Sequence, residues 1–167
     1  NLLRLTTVRK CRTLTPMGWG LLIMIVGFIS LSLVLRAYSF LAPIYPVDGE
    51  ILIVEGWLPD YSLTEVKTRF QKGNYKLLIT TGGTFKIGHP LSKYYKSWAN
   101  IAASILNAKG ISLGQIILAP TTSRPKNDRT YHTALEVKKI FKEKGLSPKS
   151  IDVISLGAHS RRTWFMF

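Results

Sequence analysis

The longest apolar segment of the chain lies close to its N-terminus. Nineteen residues, Met17 to Leu35, contain no charged side chain. As a helix this segment would extend about 28 Å, which is close to the hydrocarbon thickness of a bilayer. We therefore predict a transmembrane helix over residues 17–41, a linker over residues 42–47 and a folded domain over residues 48–167.

Two other interpretations of the apolar segment are disfavoured. A cleaved signal peptide normally has a shorter apolar core, and it ends in an A-x-A-like site that is absent after this segment. A buried core helix would be unusual, because nineteen consecutive residues carry no charge. An uncleaved membrane anchor agrees best with both observations.

Positive charges before the apolar segment predict its orientation. Residues 1–16 form a basic tail with four positive side chains and no acidic one. Such residues beside a first membrane helix normally stay in the cytoplasm. We expect a cytoplasmic tail and a periplasmic main domain, or a lumenal one if the membrane is internal.

Beyond the linker, apolar strand-like runs alternate with amphipathic helical patterns. The strands are predicted at residues 51–54, 76–81, 115–119 and 150–156. Helices are predicted to start with a capping box at Ser62 and Glu65, near Leu91, after the N-cap candidate Asp128, and after Gly157. This order predicts a Rossmann-like α/β fold with a parallel sheet and helices on both faces. Since the last helix stops almost as it begins, we expect the numbered chain to be incomplete at its C-terminus.

The excess of positive charge favours anionic partners. The net charge of the chain is +14, and the part after Pro43 has 18 basic and 9 acidic residues, or +9 (18 − 9). The lysines are scattered singly, whereas a nucleic-acid-binding domain would cluster them or interleave them with aromatics. We expect no nucleic acid as a partner. A solvated basic surface and a patch that faces lipid or a protein complex both remain open.

Candidate chemistry follows the predicted strands, because ligands of open parallel sheets bind at the carboxyl ends of the strands. Gly56, Gly82 and Gly83 follow the first two strands and could bring backbone N–H groups to an anion. His159 lies with two arginines at the start of the last helix, where N–H groups and the helix dipole favour a phosphate or carboxylate. These arginines are Arg161 and Arg162. Asp128 would orient the ligand or the loop that follows the third predicted strand.

Each candidate also has a purely structural interpretation. Gly82 and Gly83 could make a tight turn, Asp128 could be only a helix cap, and His159 could hydrogen-bond within its loop. Arg161 could be an ordinary surface residue, as we expect for His89 and His132. The one cysteine and three histidines are spread along the chain and predict no metal site. The nucleotide-binding motifs G-x-G-x-x-G and G-x-x-x-x-G-K-[ST] are absent, and the sequence leaves the cofactor unknown.

Four motifs together resemble the ElyC/SanA/YdcF-like family of bacterial envelope proteins. They are D-G-x-I-L-I-V-x-G from Asp48, T-G-G from Thr81, D-R-T-Y-x-x-A from Asp128 and G-x-H-x-R-R-T from Gly157. The resemblance covers the chain from about Asp48 to its end. It implies a Rossmann-like domain tethered by one N-terminal helix to the bacterial inner membrane. It also implies a role in envelope integrity or cell-wall metabolism, and in one branch a nucleotide-like ligand.

The resemblance also implies which residues would bind a ligand. The glycine-rich turns of the family map onto Gly56 and onto residues 81–83, and its T-x-x-N-A segment maps onto residues 130–134, beginning at Thr130. Its closing H-x-x-R maps onto His159 and Arg162. The chain departs from the family pattern at Glu55, where the family usually has an apolar residue, and at Thr133, where it usually has Asn.

Two functions of different classes agree with these observations. In the first, a membrane-anchored domain binds an anionic small molecule, such as a nucleotide or a cell-wall or lipid-linked precursor. In this case His159 donates a hydrogen bond or shuttles a proton, and the arginines neutralise charge. In the second, the domain is a non-catalytic accessory or assembly subunit of a large membrane protein complex. The departures from the family pattern, the basic surface and the four tryptophans agree with the second function.

Overall fold

The computed structural model describes residues 13–86, 88–122 and 127–167. The chain divides into two compact units, one that ends at Ala37 and one that comprises Tyr38–Phe167. Helix α1 (Pro16–Leu41) is long and apolar enough to cross a membrane, by length and composition, and none of its residues is buried in the protein. The predicted N-terminal apolar helix is therefore present.

The rest of the described chain alternates strands and helices as predicted. In order, the elements are β1 (Ile51–Glu55), α2 (Asp60–Lys72), β2 (Leu77–Gly83), α3 (Trp98–Ala108), β3 (Ile116–Thr121), α4 (Arg129–Glu143), β4 (Ile151–Ile154) and α5 (His159–Met166). Short 3-10 turns precede α3 at Pro90–Lys93 and β3 at Leu113–Gln115.

The four strands form one parallel sheet in the order β3-β2-β1-β4. Strand β1 lies between β2 and β4. The chain therefore adds β2 and β3 on one side of β1 and then returns to add β4 on the other side of β1. Parallel pairing is possible here because each crossover contains a helix. The predicted α/β fold with a parallel sheet is confirmed.

The two faces of the sheet bury separate apolar cores, as expected for continuous apolar strands. One core joins alternate side chains of β1 and β2, such as Leu52 and Leu78, to α2 and α3. The other joins Ile53 and Ile79 to α4, through Val137, and to the C-terminal Phe167. Helices therefore cover both faces of the sheet.

Helices α2 and α3 begin at other residues than the sequence predicts. Helix α2 starts at Asp60, directly after Pro59, so Ser62 lies inside the helix and the predicted capping box is wrong. Helix α3 starts at Trp98 and not near Leu91, because the hydroxyl of Ser97 accepts a hydrogen bond from the Asn100 backbone N–H, 3.2 Å away. Serine is a preferred N-cap residue, and this cap sets the first turn.

Strands β2 and β3 also extend further than predicted. Gly82 and Gly83 lie inside β2, where they pair with Pro120 and Thr121 of β3. Asp128 occupies the N-cap position of α4 but has a left-handed backbone, with φ of 56°, and its side chain caps no N–H group. The prediction that Asp128 caps this helix is therefore wrong for its side chain, although its position is correct.

Asp152 of β4 fastens the segment that enters β1. Its buried carboxylate accepts hydrogen bonds from the backbone N–H groups of Val47 (2.9 Å) and Gly49 (3.1 Å) and from the Tyr75 hydroxyl (2.5 Å). Arg69 donates to the same hydroxyl at 3.1 Å and forms an ion pair with Asp48. This network lies at the opposite end of the sheet from the carboxyl ends of the strands.

Candidate functional site

The carboxyl ends of β1 and β4 lie side by side, with β4 as the edge strand of the described sheet. Helix α2, which follows β1, packs on one face of the sheet, whereas α5, which follows β4, packs with α4 on the other. Open parallel sheets bind ligands in the crevice that forms where successive connections leave in opposite directions. The fold therefore places the candidate site after Glu55 and Ile154.

Glu55 is the last residue of β1 and lies at this point of the sheet. Its side chain is almost completely buried, with 5% of the residue exposed. The hydroxyl of Ser155, one hundred residues later, donates a hydrogen bond to Glu55 Oε2. The hydroxyl of Thr163, on α5, donates to Oε1 at 3.3 Å. Two hydroxyl donors therefore hold both oxygens of a carboxyl group that is otherwise removed from water.

This environment changes the acidity of Glu55. Burial raises the pKa of the Glu55 carboxyl above its ordinary value, and the hydrogen bond from Ser155, the nearby His159 and the bonds from Thr163 and Trp57 offset only part of that effect. Desolvation penalises the ionised form of a carboxyl group. Glu55 can therefore take up or release a proton nearer neutral pH than a carboxyl group in water.

Trp57 and His159 complete the group around Glu55. Their rings meet edge to face, with centroids 5.6 Å apart and an interplanar angle of 87°. Both residues are exposed, and His159 is the first residue of α5. We call Glu55, Trp57, Ser155, His159 and Thr163 the Glu55 group. It combines a buried acid, two hydroxyls and an accessible imidazole at one edge of the sheet.

Gly56 and Gly82 let the start of α3 approach the strand ends. A Cβ atom on Gly56 would lie 2.6 Å from the backbone oxygen of Trp98 and closer still to that of Thr81. A Cβ atom on Gly82 would lie 2.7 Å from Trp98 Cβ. The N–H of Gly56 donates to the Thr81 oxygen at 2.7 Å, so this donor is used within the fold.

Gly83 differs from the other two glycines. A Cβ atom there would meet no atom within 4 Å, so open space surrounds this position at the end of β2. The packing at Gly83 therefore leaves room that it does not leave at Gly56 or Gly82.

The other predicted site residues lie in two further places. Asp128 and Arg162 form an exposed ion pair, 3.6 Å apart, that joins the start of α4 to α5. Thr130 is buried in the first turn of α4. Arg161 packs against Phe40, with its guanidinium 4.0 Å from the centre of the ring. Of the predicted site residues, His159 belongs to the Glu55 group, where its ring meets the ring of Trp57.

The sequence predicts a site in the segment after β1, but Glu55 is not among the predicted site residues. Ser155 was predicted inside the fourth strand, and Thr163 was assigned no role. The detectable signal was an acidic residue at the end of an otherwise apolar buried strand, because such a carboxyl group needs nearby partners. The identity of those partners depends on strand order, which local sequence patterns do not encode.

Two shallow surface clefts lie elsewhere. Exposed side chains of α2, including Thr64, Thr68 and Lys72, line the first. The second lies at the opposite end of the sheet, beside Glu50 and Lys76. Neither cleft brings a buried polar group towards a ligand. Within the described residues, no group of three or more His, Cys, Asp or Glu side chains is arranged to hold a metal ion.

No family model, no curated protein and no solved structure matches this chain.

Replacing Glu55 with Gln should raise the free energy of unfolding at pH 8 and change it much less at pH 4. A carboxyl group whose pKa is raised on folding stabilises the protein fully below the unfolded pKa, and this contribution is lost as pH rises through the folded pKa. Gln keeps the shape and the acceptor oxygen but cannot ionise. Urea unfolding of the full-length protein in mild detergent at both pH values measures the difference. An equal change in the free energy of unfolding at both pH values would contradict the prediction that ionisation of Glu55 destabilises the fold.

Proposed function

We propose that this chain is a single-pass, membrane-anchored protein whose α/β domain binds an anionic small molecule at the Glu55 group. Helix α1 is the anchor, the basic N-terminal tail is cytoplasmic and the domain is periplasmic or lumenal. The observation that carries the proposal is a buried carboxyl group held by Ser155 and Thr163 in the crevice between β1 and β4. Burying such a group weakens the fold at neutral pH, and residues of this kind concentrate at functional sites.

The chemistry of the crevice supports an anionic ligand. His159 begins α5, and the helix dipole favours a phosphate or carboxylate at this end, although the N–H groups of His159 and Ser160 already donate to Leu156 and Gly157. Burial favours the neutral form of Glu55, which can hydrogen-bond to an anion without repelling it. The positive charge of the residues after Pro43 raises the local concentration of anions.

The class of ligand follows from these groups. A phosphate would bind at the start of α5, and a hydroxyl of the same molecule would reach the Ser155 and Glu55 oxygens. The exposed face of Trp57 could stack on a base or a sugar ring. A nucleotide and a sugar-containing cell-wall or lipid-linked precursor both combine these features. Such a ligand also agrees with the resemblance to the ElyC/SanA/YdcF-like family.

Replacing His159 with Ala should weaken the binding of a nucleoside diphosphate about ten-fold or more, as expected for a lost charge-assisted hydrogen bond. Arg162→Ala should have a similar effect if the arginine leaves Asp128 for the ligand. Isothermal titration of the full-length protein in mild detergent with ADP or UDP measures the affinity. His132→Ala is the matched control, since this histidine lies on α4 and contacts Tyr131. Unchanged affinity in both the His159 and Arg162 variants would refute the proposed site.

An accessory subunit of a membrane complex is the second candidate function. Large aromatic side chains remain exposed beside positive charges: Tyr94 is 73% exposed, and the Lys93 ammonium lies 5.9 Å from its ring centre. Aromatic residues are enriched at protein interfaces. Migration of the native protein in mild detergent distinguishes the two functions. A quantitative shift into a far larger assembly favours the subunit, whereas migration at the mass of one chain with its micelle favours the ligand-binding protein.

A further inference from the structure

Arg161 lies at the centre of an aromatic patch that the proposed ligand site does not use. Its guanidinium is 4.0 Å from the ring centre of Phe40 and 5.9 Å from the ring centres of Trp164 and Phe165. The rings of Trp164 and Phe165 are themselves 5.1 Å apart. We call these four residues the Arg161 patch. All four belong to the unit Tyr38–Phe167.

The aromatic rings of the Arg161 patch are open to solvent. Phe40 is 60% exposed, Trp164 is 55% exposed and Phe165 is 69% exposed. Contiguous exposed apolar groups of this kind mark a surface that contacts another phase or molecule. The surface or molecule that contacts this patch must therefore bind both aromatic rings and a positive charge.

The position of Phe40 in the chain identifies that occupant. Phe40 lies in the last turn of α1, four residues after Arg36, which closes the apolar run. In a membrane-anchored protein this turn lies where the hydrocarbon region meets the headgroups. Tryptophan and other amphipathic side chains concentrate in that zone. The Arg161 patch is therefore continuous with the membrane interface.

The charge of Arg161 points to the same occupant. Its Nε–H donates to the carbonyl oxygen of Phe40. In residues 13–86, 88–122 and 127–167 no carboxylate lies within ion-pair distance of the Arg161 guanidinium. Arginine binds phosphate oxygens through paired N–H groups. A lipid phosphate would supply the missing negative charge.

We propose that the Arg161 patch docks in the headgroup layer of the membrane that α1 spans. Trp164 and Phe165 enter the interface, and Arg161 binds the phosphate of an anionic lipid. The patch thereby limits the orientations of the domain. This inference rests on the membrane anchorage in the proposed function and is independent of the ligand site.

Site-specific quenching tests this proposal in the full-length protein. Phe165→Cys is made in a Cys11→Ser background, because Cys11 is the only cysteine, and it is labelled with a fluorophore. Leu113→Cys is the matched control, since Leu113 is 63% exposed and lies before β3. Both proteins are reconstituted in vesicles of phosphatidylcholine and phosphatidylglycerol that contain headgroup-proximal spin-labelled lipid. We expect several-fold stronger quenching at position 165 than at position 113.

Arg161→Gln should reduce the quenching at position 165, and it should do so more with phosphatidylglycerol present than with phosphatidylcholine alone. Lys138→Gln removes one exposed charge from α4 and should leave the quenching unchanged. Equal lipid quenching at positions 165 and 113 overturns the proposal. Protection of position 165 from an aqueous quencher without lipid quenching also overturns it, because a protein surface then covers the patch. Failure of the protein to float with the vesicles would instead refute the membrane anchorage.

Discussion

Replacing Gly56 with Ala is expected to lower the free energy of unfolding by about 3 kcal/mol, the upper range for overpacking a close-packed site. The new Cβ atom would meet the backbone oxygens of Thr81 and Trp98, the latter at 2.6 Å. Backbone atoms of a paired strand and of a helix start cannot move aside as a flexible side chain could. The start of α3 must therefore shift away from the ends of β1 and β2.

Gly83→Ala is the matched control for this prediction. It makes the same chemical change at the end of the neighbouring strand, where a Cβ atom meets nothing within 4 Å. We expect its effect to stay within about 0.5 kcal/mol, as for surface substitutions without a special contact. Urea unfolding of the full-length protein in mild detergent measures both variants. If the two substitutions cost the same, close approach at Gly56 is not the cause.

Replacing Asp152 with Ala should destabilise the protein by about 3 kcal/mol, since three donors lose a buried acceptor. These donors are the N–H groups of Val47 and Gly49 and the hydroxyl of Tyr75. Asp48→Asn is the control, because Asn tolerates the left-handed backbone of Asp48. It removes an exposed carboxylate that pairs with Arg69, and an exposed pair of this kind contributes at most about 1 kcal/mol. Equal losses in both variants would mean that the exposed ion pair, and not Asp152, fastens the entry to β1.

The cost of Asp152→Ala should also shrink in acid. Burial by itself would raise the pKa of Asp152, but the hydrogen bonds from Tyr75, Val47 and Gly49 and the charge of Arg69 outweigh burial and lower it. A carboxylate with a lowered pKa stabilises the fold above its unfolded pKa, and this contribution is lost as pH falls through the folded pKa. The stability difference between the two proteins should therefore begin to shrink below about pH 4, near the unfolded pKa of Asp, and shrink further as pH falls through the folded pKa. At high pH the Tyr75 hydroxyl is the group that could ionise. Burial and the hydrogen bond to Asp152 raise the pKa of Tyr75 to about 12, so the hydrogen bond between Tyr75 and Asp152 stays intact at neutral pH.

Local patterns predicted most of the fold because they are properties of neighbouring residues. An uncharged run such as Met17 to Leu35 indicates a long apolar helix wherever it occurs. Ile51 to Val54 reads as a buried strand because every residue is apolar and most are β-branched. The alternation of such runs with amphipathic helices then predicts a parallel sheet with helices packed on its faces. Helix starts were less predictable, since Ser97, which caps α3, also pairs across an isolated bridge with Thr84, a residue that is distant in sequence.

The candidate site follows from strand order, which no local pattern specifies. Glu55 and Ser155 meet although one hundred residues separate them, because β4 pairs with β1 and not with β3. Likewise, Asp152 becomes an acceptor for Val47 only when β4 reaches the segment before β1. The residues from Met17 onwards thus specify an apolar helix and an α/β domain through local apolar runs and helical periodicity. The pairing of distant strands, which depends on how the helices pack on both faces of the sheet, selects the side chains that meet in the crevice.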